Sequence, residues 1–240
     1  DKLKGFFDMP DWLNRTKKIF GDEKIDKLKQ FHVAVFGAGG VGGFAIEAIS
    51  RGGVEKLHIV DNDIIDISNL NRQILATHDT IGRPKVEVAK ERILSINPDA
   101  TVTVSRSFVL PETIHEFDFS SYDYVVDAID TVAGKLAIIE AAYAAGVPVI
   151  SSMGTGNKTD PSLLTVTTIE KTETDPLARV MRHELKKRDI RNVKVAYSKE
   201  TPVRAICNSN DTRTPGSTSF VPSACGILIA SVVLKELMES

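Results

Sequence analysis

Residues 33–42 read Val-Ala-Val-Phe-Gly-Ala-Gly-Gly-Val-Gly, an apolar run that breaks into glycines and then into a helical pattern. Few folds accommodate that order. A strand ending against a helix N-terminus places backbone amides and the helix dipole where they hold a phosphate group, and glycine is needed because a side chain would block the approach. The next apolar run, Leu57-His-Ile-Val-Asp61, ends about twenty residues further on, where a carboxylate accepts both hydroxyls of a ribose. Asp63 and Asp66 compete for that role, and the strand-end position favours Asp61. Gly37, Gly39, Gly40 and Gly42 are the candidate phosphate cradle, although Gly42 and Gly43 also suit close packing of helix on strand. These features indicate a nucleotide without saying which one.

The polar cluster after Asp61 narrows the choice. Asn69, Asn71, Arg72 and Gln73 fall within five residues, and Lys85 follows in Gly82-Arg-Pro-Lys85. An arginine fork and a lysine near one glycine turn suit a triphosphate, whose charge must be neutralised when its α-phosphorus is attacked. A lysine at a helix start has the wrong sign for the dipole, so a ligand explains Lys85 better than helix stability does. Two carboxylates end a third apolar run, Tyr124-Val-Val-Asp127-Ala-Ile-Asp130. Such oxygen ligands suit magnesium bridging substrate phosphates; Asp130 is the better metal candidate, and Asp127 reads equally well as a structural cap.

Periodicity alternates between strand and helix. Strands are predicted at 32–36, 56–60, 101–105, 123–127, 147–151, 163–169 and 193–198, and helices at 22–29, 41–51, 84–95, 133–145, 175–188 and 222–238. Pro84 suits a helix start, while Asn97-Pro98 and Gly146 are stop signals. The alternation predicts an α/β, Rossmann-like doubly wound fold: a mostly parallel sheet with helices on both faces and a C-terminal extension. Residues 1–240 are expected to form one domain, with 15–155 as its nucleotide-binding half and 156–240 as a second half whose closing apolar helix is buried in the core or in a subunit interface. Gly37, Asp61 and Asp127 to Asp130 all fall at strand carboxyl ends and so converge on one cleft. Residues 199–221 are dense in turn formers, and a connection that long predicts a mobile loop over the cleft.

Bulk properties exclude more than they assign. Thirty basic against thirty-two acidic side chains leave a net charge of −2, so any nucleic-acid contact must be a local patch. One such patch exists: residues 179–199 hold eight lysines and arginines against two acids, including Arg179, Arg182, Lys186, Lys187, Arg188 and Arg191. Charge runs are usually solvated helix faces, and composition alone would leave this one so. Cys207 and Cys225 exclude a disulfide framework and fit a reducing, cytoplasmic setting. The five histidines show no metal spacing, and without paired Cys-x-x-Cys no zinc is expected. No apolar run approaches the roughly 18 residues of a membrane span, so no membrane association is expected either.

Gly37-x-Gly39-Gly40-x-Gly42, Asp61, Asn69-x-Asn71-Arg72-Gln73, Lys85 and Asp130, in this order and spacing, resemble the adenylating domain shared by ubiquitin-activating enzymes and their bacterial thiamine and molybdopterin counterparts. Within that superfamily the chain is most similar to the tRNA threonylcarbamoyladenosine dehydratases. The supporting stretches include Ile81-Gly-Arg-Pro-Lys-Val-Glu-Val, Ser151-Ser-Met-Gly154, Lys158-Thr-Asp-Pro161 and Asp175-Pro-Leu-Ala-Arg-Val180.

The resemblance implies ATP and Mg²⁺ as cofactors, tRNA as partner and a homodimer, with sulfur-mobilising proteins as possible further partners. The implied reaction adenylates the threonine carboxylate of threonylcarbamoyladenosine, after which the carbamoyl oxygen closes a ring and expels AMP. It assigns Arg72, Lys85, Gln73 and the metal at Asp130 to that step, Arg15 to the partner subunit's triphosphate, and the basic patch to tRNA. The alternative is adenylation of a sulfur-carrier protein's C-terminus with a Cys207 thiol intermediate. A nicotinamide-dependent oxidoreductase would explain the glycines and Asp61 but leave residues 69–73 and Lys85 idle, and a nucleotide sensor without catalysis is a further reading.

Overall fold

The computed structural model describes residues 11–203 and 215–240. Among these, seven strands form one sheet: β1 (His32–Phe36), β2 (Lys56–Val60), β3 (Thr101–Ser105), β4 (Tyr124–Asp127), β5 (Val149–Ser152), β6 (Leu164–Thr168) and β7 (Lys194–Ser198). Their order is β3-β2-β1-β4-β5-β7-β6, with every neighbouring pair parallel except β6 and β7. The helices are α1 (Asn14–Phe20), α2 (Asp22–Leu28), α3 (Gly42–Gly52), α4 (Lys85–Ile96), α5 (Val132–Ala145), α6 (Pro176–Lys187) and α7 (Val221–Glu239).

The chain builds outward from β1 through β2 and β3, then returns to place β4 on the other side of β1. That reversal opens a crevice beyond the carboxyl ends of β1 and β4, where open α/β sheets bind ligands. Both strands are covered on both faces, hence their continuous apolar sequences. Val33 and Val35 of β1 pack with Ile46 and Ile49 of α3 and Ile229 and Val233 of α7. Ala34 and Phe36 point the other way, towards Phe117, Phe119 and Ile138. A second cluster joins Met181 and Leu185 of α6 to Val195 and Tyr197 of β7.

Local signals set the helix limits. Gly53 (φ 109°) and Gly146 (φ 70°) stop α3 and α5 in the left-handed conformation. Asp175 caps α6 by accepting the Ala178 N–H at 2.8 Å, with Pro176 in the first turn, as caps of this kind do. Two features differ from the sequence-based expectation. Helix α1 lies outside the helices predicted above: it is seven residues long and buries none of them, so it carries no amphipathic signal. Helix α7, contrary to the expectation that no apolar run reaches membrane-spanning length, is long and apolar enough to do so. It is a core helix here: Cys225, Ile229, Ala230 and Val233 are at most 1% exposed. A Cβ on Gly226 would stand 2.3 Å from the Val41 carbonyl oxygen, so glycine is what allows α7 to press on the start of α3.

Candidate active site

Two of the four candidate glycines answer to the protein's own backbone. Gly37 has φ 93°, its N–H donates to the Val60 carbonyl at 2.7 Å, and a Cβ would lie 2.7 Å from the Ala128 carbonyl oxygen. A Cβ on Gly42 would sit 1.8 Å from the Gly37 carbonyl oxygen, so Gly42 serves the packing of α3 on β1. Gly39 is different: the atom nearest to an added Cβ is Gln73 Nε2, at 3.8 Å, and what it leaves open is the cleft. The amides of Gly39, Gly40 and Val41 have no acceptor among the described residues. Three free donors at the N-terminus of α3 make an anion cradle.

Asp61 is fixed by two backbone donors. Its Oδ2 accepts the Ala38 N–H at 2.7 Å and its Oδ1 the Asp63 N–H at 2.8 Å. Each carboxylate oxygen keeps lone-pair capacity for a ribose hydroxyl. Asp66 also lines the cleft, and it caps the short turn at 67–69 by accepting the Ser68 N–H. Lys85 is 4% exposed, with its ammonium 2.7 Å from Asp63 Oδ2. Arg72 donates to the Ser68 carbonyl and to Asn71 Oδ1, both at 2.9 Å, and has no carboxylate partner among the described residues. Gln73 is buried, and its Oε1 lacks a hydrogen-bond partner among the described residues, a costly state unless a ligand supplies a donor.

These groups share one cleft of about 900 Å³. Gly37, Gly39, Gly40, Asp61, Asp63, Asn69, Arg72, Gln73, Lys85 and Asp130 line it. Asp130 is exposed there, without a protein partner among the described residues.

Gly42, Asn71 and Asp127 are not brought to the lining. Asp127 is a correction: its carboxylate is fully buried, 3.1 Å from the ammonium of Lys135, and it accepts from Ser151 Oγ at 2.5 Å. The residue works inside the fold, as the cap reading allowed. Arg15 is exposed on α1, and it too is away from this cleft. Sequence reasoning overlooked the far wall, formed by residues 107–109, 152–156 and 215–217 with Leu177. The strand-end rule applied to β5 would have found 152–156; the rest required the fold.

The basic patch is partly engaged. Arg182 donates to the Thr172 carbonyl and hydroxyl, at 2.8 and 2.7 Å. Lys187 and Arg188 pair with Glu184, Arg188 also with Glu140, and Arg191 with Asp189. Arg179 and Lys186 are exposed and without a partner among the described residues. Cys225 is buried against Ser152, and burial pushes its thiol up to about 11, so it is an inert core residue. Cys207, and the part of the expected mobile loop from 204 to 214, lie outside the described residues.

The chain has similar proteins of known name and structure. The ThiF family profile matches residues 13–240. The tRNA threonylcarbamoyladenosine dehydratase of Bacillus subtilis is 39% identical over 239 residues, which is 94% of either chain. That of Escherichia coli is 39% identical over 171 residues, 71% of this chain and 64% of the relative. Among solved structures, the E. coli tRNA N6-threonylcarbamoyladenosine dehydratase TcdA in complex with ATP matches with a TM-score of 0.87 at 33% identity, over 95% of this chain and 93% of that one. Its complex with AMP gives the same TM-score. With the family profile covering residues 13–240 and a relative 39% identical over 94% of either chain, the chain belongs to the ThiF family, on the branch that includes the tRNA threonylcarbamoyladenosine dehydratases.

Proposed function

We propose that this protein is an ATP-dependent tRNA threonylcarbamoyladenosine dehydratase. One observation carries the reading: free amides at 39–41, the fixed carboxylate of Asp61, and the cations of Arg72 and Lys85 all face one cleft. ATP lies with its ribose on Asp61 and its phosphates over the start of α3. Asn69 and Gln73 supply polar contacts, and Asp63 holds Lys85 in place.

Asp130 fits magnesium, because an unpartnered carboxylate facing bound phosphates is the donor set this ion takes while keeping its waters. When bound, the ion neutralises phosphate charge. The substrate carboxylate attacks the α-phosphorus, the bond to the β-phosphoryl oxygen breaks, and pyrophosphate leaves. Arg72 and Lys85 hold the charge that develops, and positioning provides the rest of the acceleration. The carbamoyl group then closes on the acyl carbon, gives up its N–H proton and expels AMP.

The protein acts as a cytoplasmic homodimer in which Arg15 reaches the partner's triphosphate. Arg179 and Lys186 contact the tRNA backbone directly. Lys187, Arg188 and Arg191 join them because exposed ion pairs are worth little and phosphates compete for them. The test is pyrophosphate release from ATP with two acyl donors. Release that depends on threonylcarbamoyladenosine-containing tRNA supports the reading, whereas release that requires a small carrier protein and Cys207 favours the sulfur-carrier alternative.

A further inference from the structure

Asn157 lies between β5 and β6 in the left-handed conformation, with φ 55°. All its polar backbone groups and its amide oxygen are engaged. The carbonyl accepts the Val203 N–H at 2.8 Å, the N–H donates to the Gly216 carbonyl at 2.7 Å, and Oδ1 accepts the Gly216 N–H at 2.7 Å. Val203 and Gly216 flank residues 204–214 on either side, so one residue fastens both flanks of that connection. The preceding Gly156 has no room for a side chain, since a Cβ would stand 2.9 Å from Pro215 Cβ.

The hydrogen bonding runs on from there. The Ser217 carbonyl accepts from Asn71 Nδ2 at 3.1 Å, which turns the amide of Asn71 so that its Oδ1 meets the Arg72 guanidinium at 2.9 Å. Asn71 thus has work to do without lining the cleft. Its donor reads the flank at Ser217, and its acceptor sets the arginine.

We propose that Asn157 is a positioning residue which, through Gly216, Ser217 and Asn71, sets the Arg72 guanidinium at the nucleotide. The inference rests on reading the cleft as the ATP site. It links the part of the cleft lining formed by 155–156 and 215–217 to Arg72 on the same cleft. A group that settles against that wall bears on Arg72 through the same hydrogen bonds.

Asparagine suits the position for two reasons: it tolerates positive φ at low cost, and its short side chain places an acceptor beside a neighbouring backbone N–H. Asn157→Gly keeps the backbone conformation and loses only the side-chain acceptor. Asn157→Asp keeps both.

The experiment is a double-mutant cycle on the ATP dissociation constant, measured by calorimetry for the wild type, Asn157→Gly, Arg72→Ala and the double variant, with Asn157→Asp alongside. With Arg72 present, Asn157→Gly is expected to weaken ATP binding about threefold to tenfold, and in the Arg72→Ala background to add less than about 1.5-fold. Asn157→Asp is expected to bind like the wild type. Equal factors in the two backgrounds, no effect of Asn157→Gly, or an aspartate variant as weak as the glycine one would each overturn the proposal. Wild-type protein that fails to bind ATP would remove the ATP-site reading and the inference with it. Additive factors on intact wild-type binding would overturn the inference alone. Every arm reads binding, so the outcome holds whichever acyl donor the enzyme uses.

Discussion

Lys85 is fastened twice to Asp63. Its backbone N–H donates to the Asp63 carbonyl at 3.0 Å, and its ammonium stands 2.7 Å from Asp63 Oδ2. The lysine side chain is 5% exposed, whereas that of the aspartate is 57% exposed. The ammonium therefore reaches the cleft with its stem buried and its direction fixed, and water screens the paired carboxylate. Two of its three protons remain for phosphate oxygens.

The first prediction concerns that lysine. Lys85→Ala should lower kcat for tRNA-dependent ATP turnover by about 10²- to 10³-fold, the effect of removing one preorganised donor to developing charge. Steady-state kinetics read the loss, and a far-ultraviolet dichroism spectrum should match the wild type.

The Asp127–Lys135 pair leads to a stability prediction. Both side chains are fully buried, and the ammonium also donates to the Ser152 carbonyl at 2.6 Å. Lys135→Met leaves a buried carboxylate without its countercharge and should cost about 3–5 kcal/mol in urea unfolding. The double change Asp127→Asn with Lys135→Met should cost clearly less, because no lone charge remains inside.

Asp130→Asn removes the charge proposed to hold magnesium and leaves the fold alone, since the residue is exposed and has no partner among the described residues. The magnesium concentration for half-maximal ATP turnover should rise by about tenfold or more. A titration of activity against magnesium checks this, and the melting temperature should stay near that of the wild type.

A pH dependence follows from His58. Burial holds its imidazole below the ordinary value of 6.5, with nearby His32 adding to the effect. Its ring nitrogens lie 2.7 Å from Tyr122 Oη and 2.9 Å from Ser105 Oγ. The unfolded chain takes up the proton at a higher pH than the fold does, so this contribution to stability is complete above about pH 6.5 and is lost as the pH falls below it. Melting temperatures recorded from pH 8 down to about pH 5 should fall at the acidic end, and His58→Gln should flatten that fall.

The sequence made the nucleotide half of the site legible because its geometry is local. Gly37, Asp61 and Asp130 follow strands whose apolar runs are unambiguous, and strand ends in such a sheet share one edge. Asp127 sits in the same kind of position, yet its partner Lys135 comes from the first turn of a mostly apolar helix, which a pattern reading takes as core. Asn71 belongs to the local polar cluster that predicts the nucleotide site, yet its side-chain amide donates to Ser217, 146 residues away, which no local pattern reveals. Helix α7 shows the limit of hydropathy alone, since a buried core helix and a membrane span share a composition and differ only in what covers them.

The most direct test of the central claim is mass spectrometry of nucleosides from threonylcarbamoyladenosine-containing tRNA after incubation with this protein, magnesium and ATP. The account predicts a nucleoside lighter by one water, formed only with ATP and accompanied by AMP. An unchanged nucleoside, or the same conversion without ATP, would contradict it.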